Sequence, residues 1–356
     1  MSRDATTSVT APDEAPASER AAPPSRRGPR ALGLIVAVCS LLVLVVLSLA
    51  VGSKAIPVSV VWDALFHSPT GADQFSVRDY RLPRTVVGLI VGISLGVAGA
   101  LIQALTRNPL AEPGILGVNA GAAFAVALAV GVIGIQDPAS YMWFAFAGAL
   151  VVTVMVLLLG GTRHGRESSG LMVLAGVALG AVLGGATSGL TLIDPEAFDQ
   201  MRQWHAGSIV GRPLDVVWPI LPFFAGGLLL ALAAAPSLNA MALGDDLAVA
   251  QGARVNRTRI MVVAAITFLA GGATALAGPI GFVGLMVPHV ARWIVGPDQR
   301  WIIAYSVLLA PSLLLASDIA GRVIMIPSEI PVGVVTAFIG APILIVLVRR
   351  VKVSGL

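Results

Sequence analysis

Few side chains in this sequence could take part in chemistry, and their spacing argues against a catalytic centre. Cys39 is the single cysteine, and no two of the four histidines stand four residues apart. A thiolate or imidazole metal site is therefore not expected. The sequence also contains no GxxxxGK[ST] loop of the kind that cradles the phosphates of ATP. We expect no metal, no cofactor and no enzymatic activity in this chain.

The long apolar segments contain almost no ionisable residues. Asp, Glu, Lys, Arg and His inside a membrane are costly, and they usually mark proton relays or ion sites. Their scarcity argues against a carrier driven by an ion gradient and against an enzyme embedded in the membrane. If the chain transports a substrate, the energy must come from another source. An ion-gradient-driven secondary transporter stays open as the alternative of a different class.

The composition is typical of a membrane protein. Of 356 residues, 56% are hydrophobic and 12% are charged, whereas soluble globular chains carry about 25% charged residues. Apolar runs of nearly 20 residues match the length that a hydrocarbon core of about 30 Å requires. We predict an all-α, polytopic membrane protein with about ten transmembrane helices, at residues 31–51, 84–106, 115–135, 141–160, 170–193, 214–235, 260–278, 280–296, 302–317 and 331–349.

The basic residues predict the orientation of these helices in the bilayer. Most of the 23 Lys and Arg residues fall in the N-terminal segment and in alternate connections, and positive charge concentrates on the cytoplasmic side of membrane proteins. This pattern explains the net charge of +4 without nucleic-acid binding. We predict that both termini are cytoplasmic. Residues 1–30 form a disordered tail, 31–350 the transmembrane domain, and 351–356 the C-terminal end.

The connection 194–212 carries apolar residues among charged ones. Phe198, Met201 and Trp204 follow each other at three-residue spacing. This pattern predicts a short amphipathic helix lying at the outer interface of the membrane.

The connection 236–259 is predicted to hold a short cytoplasmic helix. Asp245 and Asp246 begin it, because acidic residues are favoured at a helix N-terminus. Gly244 and Gly252 bracket the helix as a break and a cap. Apolar residues such as Leu247 supply one face.

Glycines recur at helical spacing within two of the predicted spans. They are Gly88, Gly92, Gly96 and Gly99 in the second span, and Gly176, Gly180 and Gly184 in the fifth. Faces of small residues let helices approach closely. Packing is the simpler interpretation, and lining a wide path is the alternative.

Three segments resemble a known family: GALIQALTRNPLAEPGILGVNAGA at 99–122, GPIGFVGLMVPHVAR at 278–292 and EIPVGVVTAFIGAP at 329–342. They look like the FecCD-type permeases of binding-protein-dependent ABC importers, which carry ferric siderophores, haem or cobalamin. The resemblance covers about residues 50–350. The segments at 81–84, 202–208 and 237–248 are most similar to the subunits that import ferric enterobactin and related catecholates.

The resemblance implies a fold and a set of partners. The fold would be that of a type II ABC importer permease in the bacterial plasma membrane, which transports by alternating access driven by a separate ATPase subunit. The partners would be a second permease subunit, identical or homologous, two ATPase subunits that bind ATP and Mg²⁺, and an extracytoplasmic siderophore-binding protein. The cargo would be a ferric siderophore, with cobalamin or haem as the alternative.

The resemblance also implies site residues. The ATPase would couple to the connection between the sixth and seventh spans, here Leu243, Gly244, Asp245, Asp246, Leu247, Ala248, Gly252 and Arg254. The binding protein would dock on Arg81, Arg84 and Arg322, although headgroup anchoring or an intramolecular pair of Arg322 with Asp318 or Glu329 stays open. The residues considered for the translocation path are Gln103, Asn119 and Trp204, with structural hydrogen bonding as the alternative for the two amides.

Overall fold

The computed structural model describes residues 27–160 and 166–350. About 81% of the described residues are helical. In chain order the α-helices are α1 (Arg27–Ala50), α2 (Val58–Phe66), α3 (Ala72–Phe75), α4 (Leu82–Thr106), α5 (Val118–Gly131), α6 (Pro138–Gly160), α7 (Arg166–Ile193), α8 (Pro195–His205), α9 (Leu214–Val217), α10 (Leu221–Met241), α11 (Asp245–Ala250), α12 (Val255–Ile266), α13 (Gly272–Ala277), α14 (Val283–Val295), α15 (Gln299–Ile324) and α16 (Val332–Arg350).

Two π-helical turns, which are wider than an α-helix, and one 3₁₀ turn, which is tighter, connect some of these helices. A π-helical turn at Ser76–Arg81 joins α3 to α4, and a second one at Thr267–Gly271 joins α12 to α13. A 3₁₀ turn at Pro113–Leu116 precedes α5. Because the backbone stays helical through both π turns, 72–106 and 255–277 are each one continuous rod.

The predicted all-α membrane fold is confirmed. Within the described ranges, seven helices are long and apolar enough to cross a membrane, and α5, α14 and α16 are shorter apolar helices. Together they correspond to the ten predicted spans. The break expected near residue 279 lies between α13 and α14, where Gly278 and Phe282 have φ angles of 72° and 68°. Positive φ ends an α-helix, and it is unusual for a residue with a side chain such as Phe282.

Helix α4 lies at the centre of the bundle. In its most apolar stretch 78% of the residues are buried, against 17% for α1 and for α7. It packs against α12, α13, α14 and α15. The helices with the most exposed residues are therefore the ones left to contact lipid or another chain.

The glycine face of α4 packs at backbone distance on two neighbours. A Cβ atom on Gly92 would stand 2.5 Å from the Cα of Pro311 in α15, and Gly99 lies directly on the backbone of Gly284 in α14. Packing is therefore the role of these glycines. In α7, Gly176 packs against the backbone of Ile115, whereas Gly184 has open space beside it.

The segment between α1 and α4 is more structured than its sequence indicated. Helix α2, helix α3 and the π turn at Ser76–Arg81 form a small cap with its own apolar cluster, which includes Ile56, Val61 and Val77. The sequence did not predict these elements, because each is shorter than the window over which helical periodicity is visible.

The predicted tail lies outside the described residues up to position 26, and residues 27–30 belong to α1. The predicted end at 351–356 lies outside them as well.

The contact between Gly92 and Pro311 yields a test of the packing. Gly92→Ala should destabilise the protein by about 1–3 kcal/mol, because the added methyl meets backbone atoms that cannot rotate away. Gly226→Ala in α10 is the matched control, since its Cβ would meet only Phe268 at 4.0 Å. The thermal unfolding midpoint in detergent should fall for the first variant alone, and equal midpoints would contradict close packing at Gly92.

Candidate functional site

One end of the bundle is organised around the buried carboxylate of Asp318 in α15. The Nη2 of Arg84 donates to its Oδ1 at 2.6 Å, and the Nε of Arg322 donates to its Oδ2 at 3.0 Å. The side chains of Asp318 and Arg322 are 1% and 2% exposed. Arg84 also pairs with Glu329 at 2.6 Å. We call this region the Asp318 end.

Arg81 and Arg322 also bind the carbonyl end of α1. Arg322 Nη1 donates to the backbone oxygen of Ser48 at 2.8 Å, and Arg81 Nη1 donates to that of Leu49 at 2.9 Å. The last carbonyls of a helix have no partner within it, and cations are favoured there. These arginines therefore hold α1 and the start of the cap against α4 and α15.

The three arginines predicted to dock a partner thus lie together but are buried and hydrogen-bonded within the chain. Of the two intramolecular pairs that the sequence left open for Arg322, the pair with Asp318 is present. Glu329 pairs with Arg84 instead. The side chains still line a cavity of about 410 Å³ to which Arg212 also contributes. Docking on this surface stays a prediction.

The opposite end of the bundle is organised around Asp245, the first residue of α11. Arg107, at the C-terminal end of α4, pairs with its Oδ1, and Arg259 of α12 pairs with its Oδ2 at 2.7 Å. Asp245 therefore ties α11 to two long helices. The adjacent Asp246 is exposed, so the two acids at the start of this helix have different environments. We call this region the Asp245 end.

Two glycines set the bounds of α11 as the sequence predicted. Gly244 precedes the helix with a φ of 117°, and Gly252 follows it with a φ of 84°. Residues other than glycine rarely adopt these φ angles. Leu243, just before the helix, and Leu247 and Val249 within it are each more than half exposed and form an apolar surface.

The two ends are joined by one rod. Arg84 and Arg107 stand near the first and last residues of α4, which at 1.5 Å per residue places them about 35 Å apart. That distance is slightly more than the hydrocarbon core of a membrane, which is about 30 Å thick. The same helix therefore contributes an arginine to each of the two charged clusters.

The residues considered for the translocation path occupy different places. Gln103 is 2% exposed, donates to the backbone oxygen of Leu285 at 2.9 Å and accepts from Arg292. It therefore joins α4 to α14, and structural hydrogen bonding accounts for it. Asn119 accepts a hydrogen bond from Thr274 at 3.0 Å and also lines a cavity of about 300 Å³ between α5 and α7.

Helix α8 forms where an amphipathic helix was predicted. Asp194 caps it by accepting a hydrogen bond from the backbone N–H of Glu196 at 2.9 Å. Met201 and Trp204 are buried, whereas Phe198 is 48% exposed. Trp204 lines a second cavity at the Asp318 end, of about 440 Å³.

Glu112, in the connection between α4 and α5, was not singled out from the sequence. Its Oε1 accepts a hydrogen bond from the backbone N–H of Phe282 at 3.0 Å. Burial raises the pKa of the Glu112 carboxyl, and the hydrogen bond from Phe282 opposes that rise. The contact joins two connections far apart in the chain, which no local sequence pattern reveals.

Comparison with known proteins gives the family of this chain. A model of the FecCD transport family matches residues 40–350. The chain belongs to the FecCD transport family. One relative is the ferric enterobactin transport system permease protein FepD of Escherichia coli K12. It is 50% identical over 328 residues, which are 90% of this chain and 97% of FepD.

Two further similarities place the protein within the FecCD family. The cobalamin import system permease protein BtuC of Halobacterium salinarum is 35% identical over 325 residues, 87% of this chain and 86% of the relative. A solved structure, described as an inward-facing conformation of a metal-chelate type ABC transporter, matches with a TM-score of 0.80 at 26% identity, over 90% of this chain and all of that one. The FecCD protein is therefore a multi-pass membrane permease with the fold of ABC importers.

The Asp318 cluster yields a test of stability in this FecCD permease. Asp318→Asn should cost about 3–5 kcal/mol, because it leaves the buried Arg322 without its counter-charge and leaves Arg84 with Glu329 as its one acidic partner. Asp73→Asn is the control: its pair with Lys54 is exposed and should be worth at most about 1 kcal/mol. Thermal unfolding in detergent measures both. A midpoint for Asp318→Asn that matches the control would contradict a structural role for this cluster.

Proposed function

We propose that this chain is the permease subunit of an ATP-binding-cassette importer that takes up iron(III)–siderophore complexes. The observation that carries the proposal is the 50% identity with the ferric enterobactin permease along nearly the whole of both chains. The chain itself makes or breaks no bond in the cargo. ATP and Mg²⁺ would be bound by two separate ATPase subunits.

The Asp245 end would face the cytoplasm and receive the ATPase. Positive charge on this side of the membrane supports that orientation, with both termini cytoplasmic. Helix α11 supports the docking: it lies between two glycine turns, and Leu243, Leu247 and Val249 are 63%, 56% and 60% exposed. An exposed apolar patch next to charged residues is typical of a protein interface.

Asp245 would pass movement of the ATPase into the membrane. Its ion pairs with Arg107 and Arg259 link α11 to α4 and α12. Closure of the ATPase dimer would then move α11 as a rigid element, and the two long helices would follow it. This mechanism needs no charge within the spans, which agrees with their apolar sequence.

The Asp318 end would receive the binding protein on the outer side. Arg81, Arg84, Arg212 and Arg322 line the cavity of about 410 Å³, where Asp79 and Glu329 are the acidic lining residues. The excess of positive charge would attract acidic side chains on the partner and steer its approach. The internal hydrogen bonds of these arginines would keep them in fixed positions.

A second permease copy would complete the pathway. Helix α7 has only 17% of its apolar stretch buried, and Gly184, Gly185 and Gly189 have open space beside them. Small residues on an exposed face allow close approach of another helix. The cavity lined by Asn119 borders α7, so cargo passing along this face would meet it.

Uptake measurements test the proposed cargo. In a strain that lacks this chain, restoring it together with its ATPase and binding protein should restore uptake of ⁵⁵Fe-enterobactin. Uptake should cease when the ATPase is removed, because the permease has no energy source of its own. Cobalamin and haem uptake serve as controls. Transport of cobalamin or haem without any ferric siderophore would overturn the cargo, and uptake that survives removal of the ATPase would favour an ion-gradient-driven carrier.

A further inference from the structure

Helix α2 lies where the membrane-spanning part of α1 ends. That part, Arg30–Ala50, has 21 residues. At 1.5 Å per residue it is about 30 Å long, which is the full thickness of a hydrocarbon core. The chain then turns back, because the backbone N–H of Ile56 donates to the carbonyl oxygen of Ala50 at 2.9 Å. Val58, the first residue of α2, is therefore held near the level where acyl chains meet lipid headgroups.

The residues of α2 fall into three sectors around the helix axis. Val61 and Ala64 are buried in the apolar cluster of the cap. Four apolar residues are exposed, and at 3.6 residues per turn they lie within an arc of about 100°. These four, which we call the α2 apolar sector, are Val58, Trp62, Leu65 and Phe66. Ser59 and Asp63, which are also exposed, follow at one edge of that arc. The exposed side of α2 is therefore amphipathic.

Aromatic rings make up most of the α2 apolar sector. Trp62 is 60% exposed and Phe66 is 63% exposed, and their ring centroids are 4.4 Å apart. Adjacent exposed apolar side chains mark a surface that another molecule covers. Tryptophan is enriched where membrane meets water, because its ring is apolar and its N–H is polar.

The position and chemistry of the sector favour lipid over a protein as the covering molecule. The four residues carry no charge, and among the described residues no member of α2 lines the arginine-rich cavity of about 410 Å³, which is where charge would steer a binding protein. Helix α2 packs on α1 and α3, whereas α7, which has the open glycine face, packs on α5 and α6. The neighbour of α2 is thus α1, whose apolar stretch is only 17% buried.

We propose that α2 is an interfacial helix whose apolar sector inserts into the lipid leaflet at the Asp318 end. Trp62 and Phe66 enter the boundary between headgroups and acyl chains, while Ser59 and Asp63 face headgroups and water. Tyr80, in the π turn of the same cap, lines the arginine-rich cavity. The inserted helix therefore holds one wall of that cavity at the membrane surface. This anchor rests on the membrane fold and is independent of the cargo.

Spin labels on single cysteines test the insertion. Cys39→Ser removes the one native cysteine, and Trp62→Cys or Phe66→Cys then carries a nitroxide. The full-length protein, purified with its associated subunits, is reconstituted in liposomes of phosphatidylethanolamine and phosphatidylglycerol. Collisions with oxygen, which concentrates in the bilayer, are compared with collisions with a water-soluble nickel chelate by power-saturation electron paramagnetic resonance. Both labels should favour oxygen, at a depth of about 5–10 Å into the boundary of headgroups and acyl chains.

Asp63→Cys is the matched control. Asp63 is the next residue after Trp62 on the same helix and lies in the polar sector, so its label should favour the nickel chelate. Thermal unfolding midpoints show whether each variant is folded. Because Trp62 and Phe66 belong to one sector, the Phe66→Cys label keeps the test decisive if Trp62→Cys does not fold.

Three outcomes would overturn the membrane anchor. Labels at 62 and 66 that favour the nickel chelate would show that the sector faces water. Low collision rates with both reagents would show that a protein covers it, either a second copy of the chain or another subunit. Equal preference for oxygen at 62 and 63 would contradict an interfacial position. None of these results bears on the proposed cargo, which uptake measures separately.

Discussion

The packing of α4 is the constraint on which the rest of this structure depends. Its glycine face brings the backbone of α4 against the backbones of α14 and α15, at Gly99 on Gly284 and at Gly92 on Pro311. Apolar side chains gain little from contacting each other in lipid, so helix association in a membrane relies on such close van der Waals packing. In the proposed importer, α4 would move as one rod together with the helices packed on its glycine face.

The charged clusters at the two ends of α4 use the same chemistry for different purposes. At the Asp318 end, one buried carboxylate holds Arg84 and Arg322, and these arginines fix the wall of a cavity. At the Asp245 end, one partly exposed carboxylate holds Arg107 and Arg259, and it belongs to a short helix with an exposed apolar face. In the proposed importer, the first cluster would face the delivery of cargo. The second would join the ATPase to the membrane helices.

The sequence predicted the parts of this architecture that are encoded locally. The ten apolar segments, the helix between Gly244 and Gly252, and the amphipathic helix ending near Trp204 follow from composition, periodicity and glycine placement. Pairings between distant residues could not be predicted in this way. Asp245 and Asp246 look alike in the sequence, and only the fold shows that Asp245 carries two ion pairs. The short helices before α4 are below the length at which periodicity is informative.

In the proposed importer, motion enters the membrane through Asp245 and passes along α4. The most direct measurement is the number of siderophore molecules imported per ATP hydrolysed in proteoliposomes, compared between Asp245→Asn and Asp246→Asn. Hydrolysis should persist in both variants. The ratio should fall by about ten-fold in Asp245→Asn alone, because charge-assisted hydrogen bonds worth about 1.5–3 kcal/mol are lost, and Asp245→Glu should restore much of it. An unchanged ratio in Asp245→Asn, or an equal fall in Asp246→Asn, would contradict the claim.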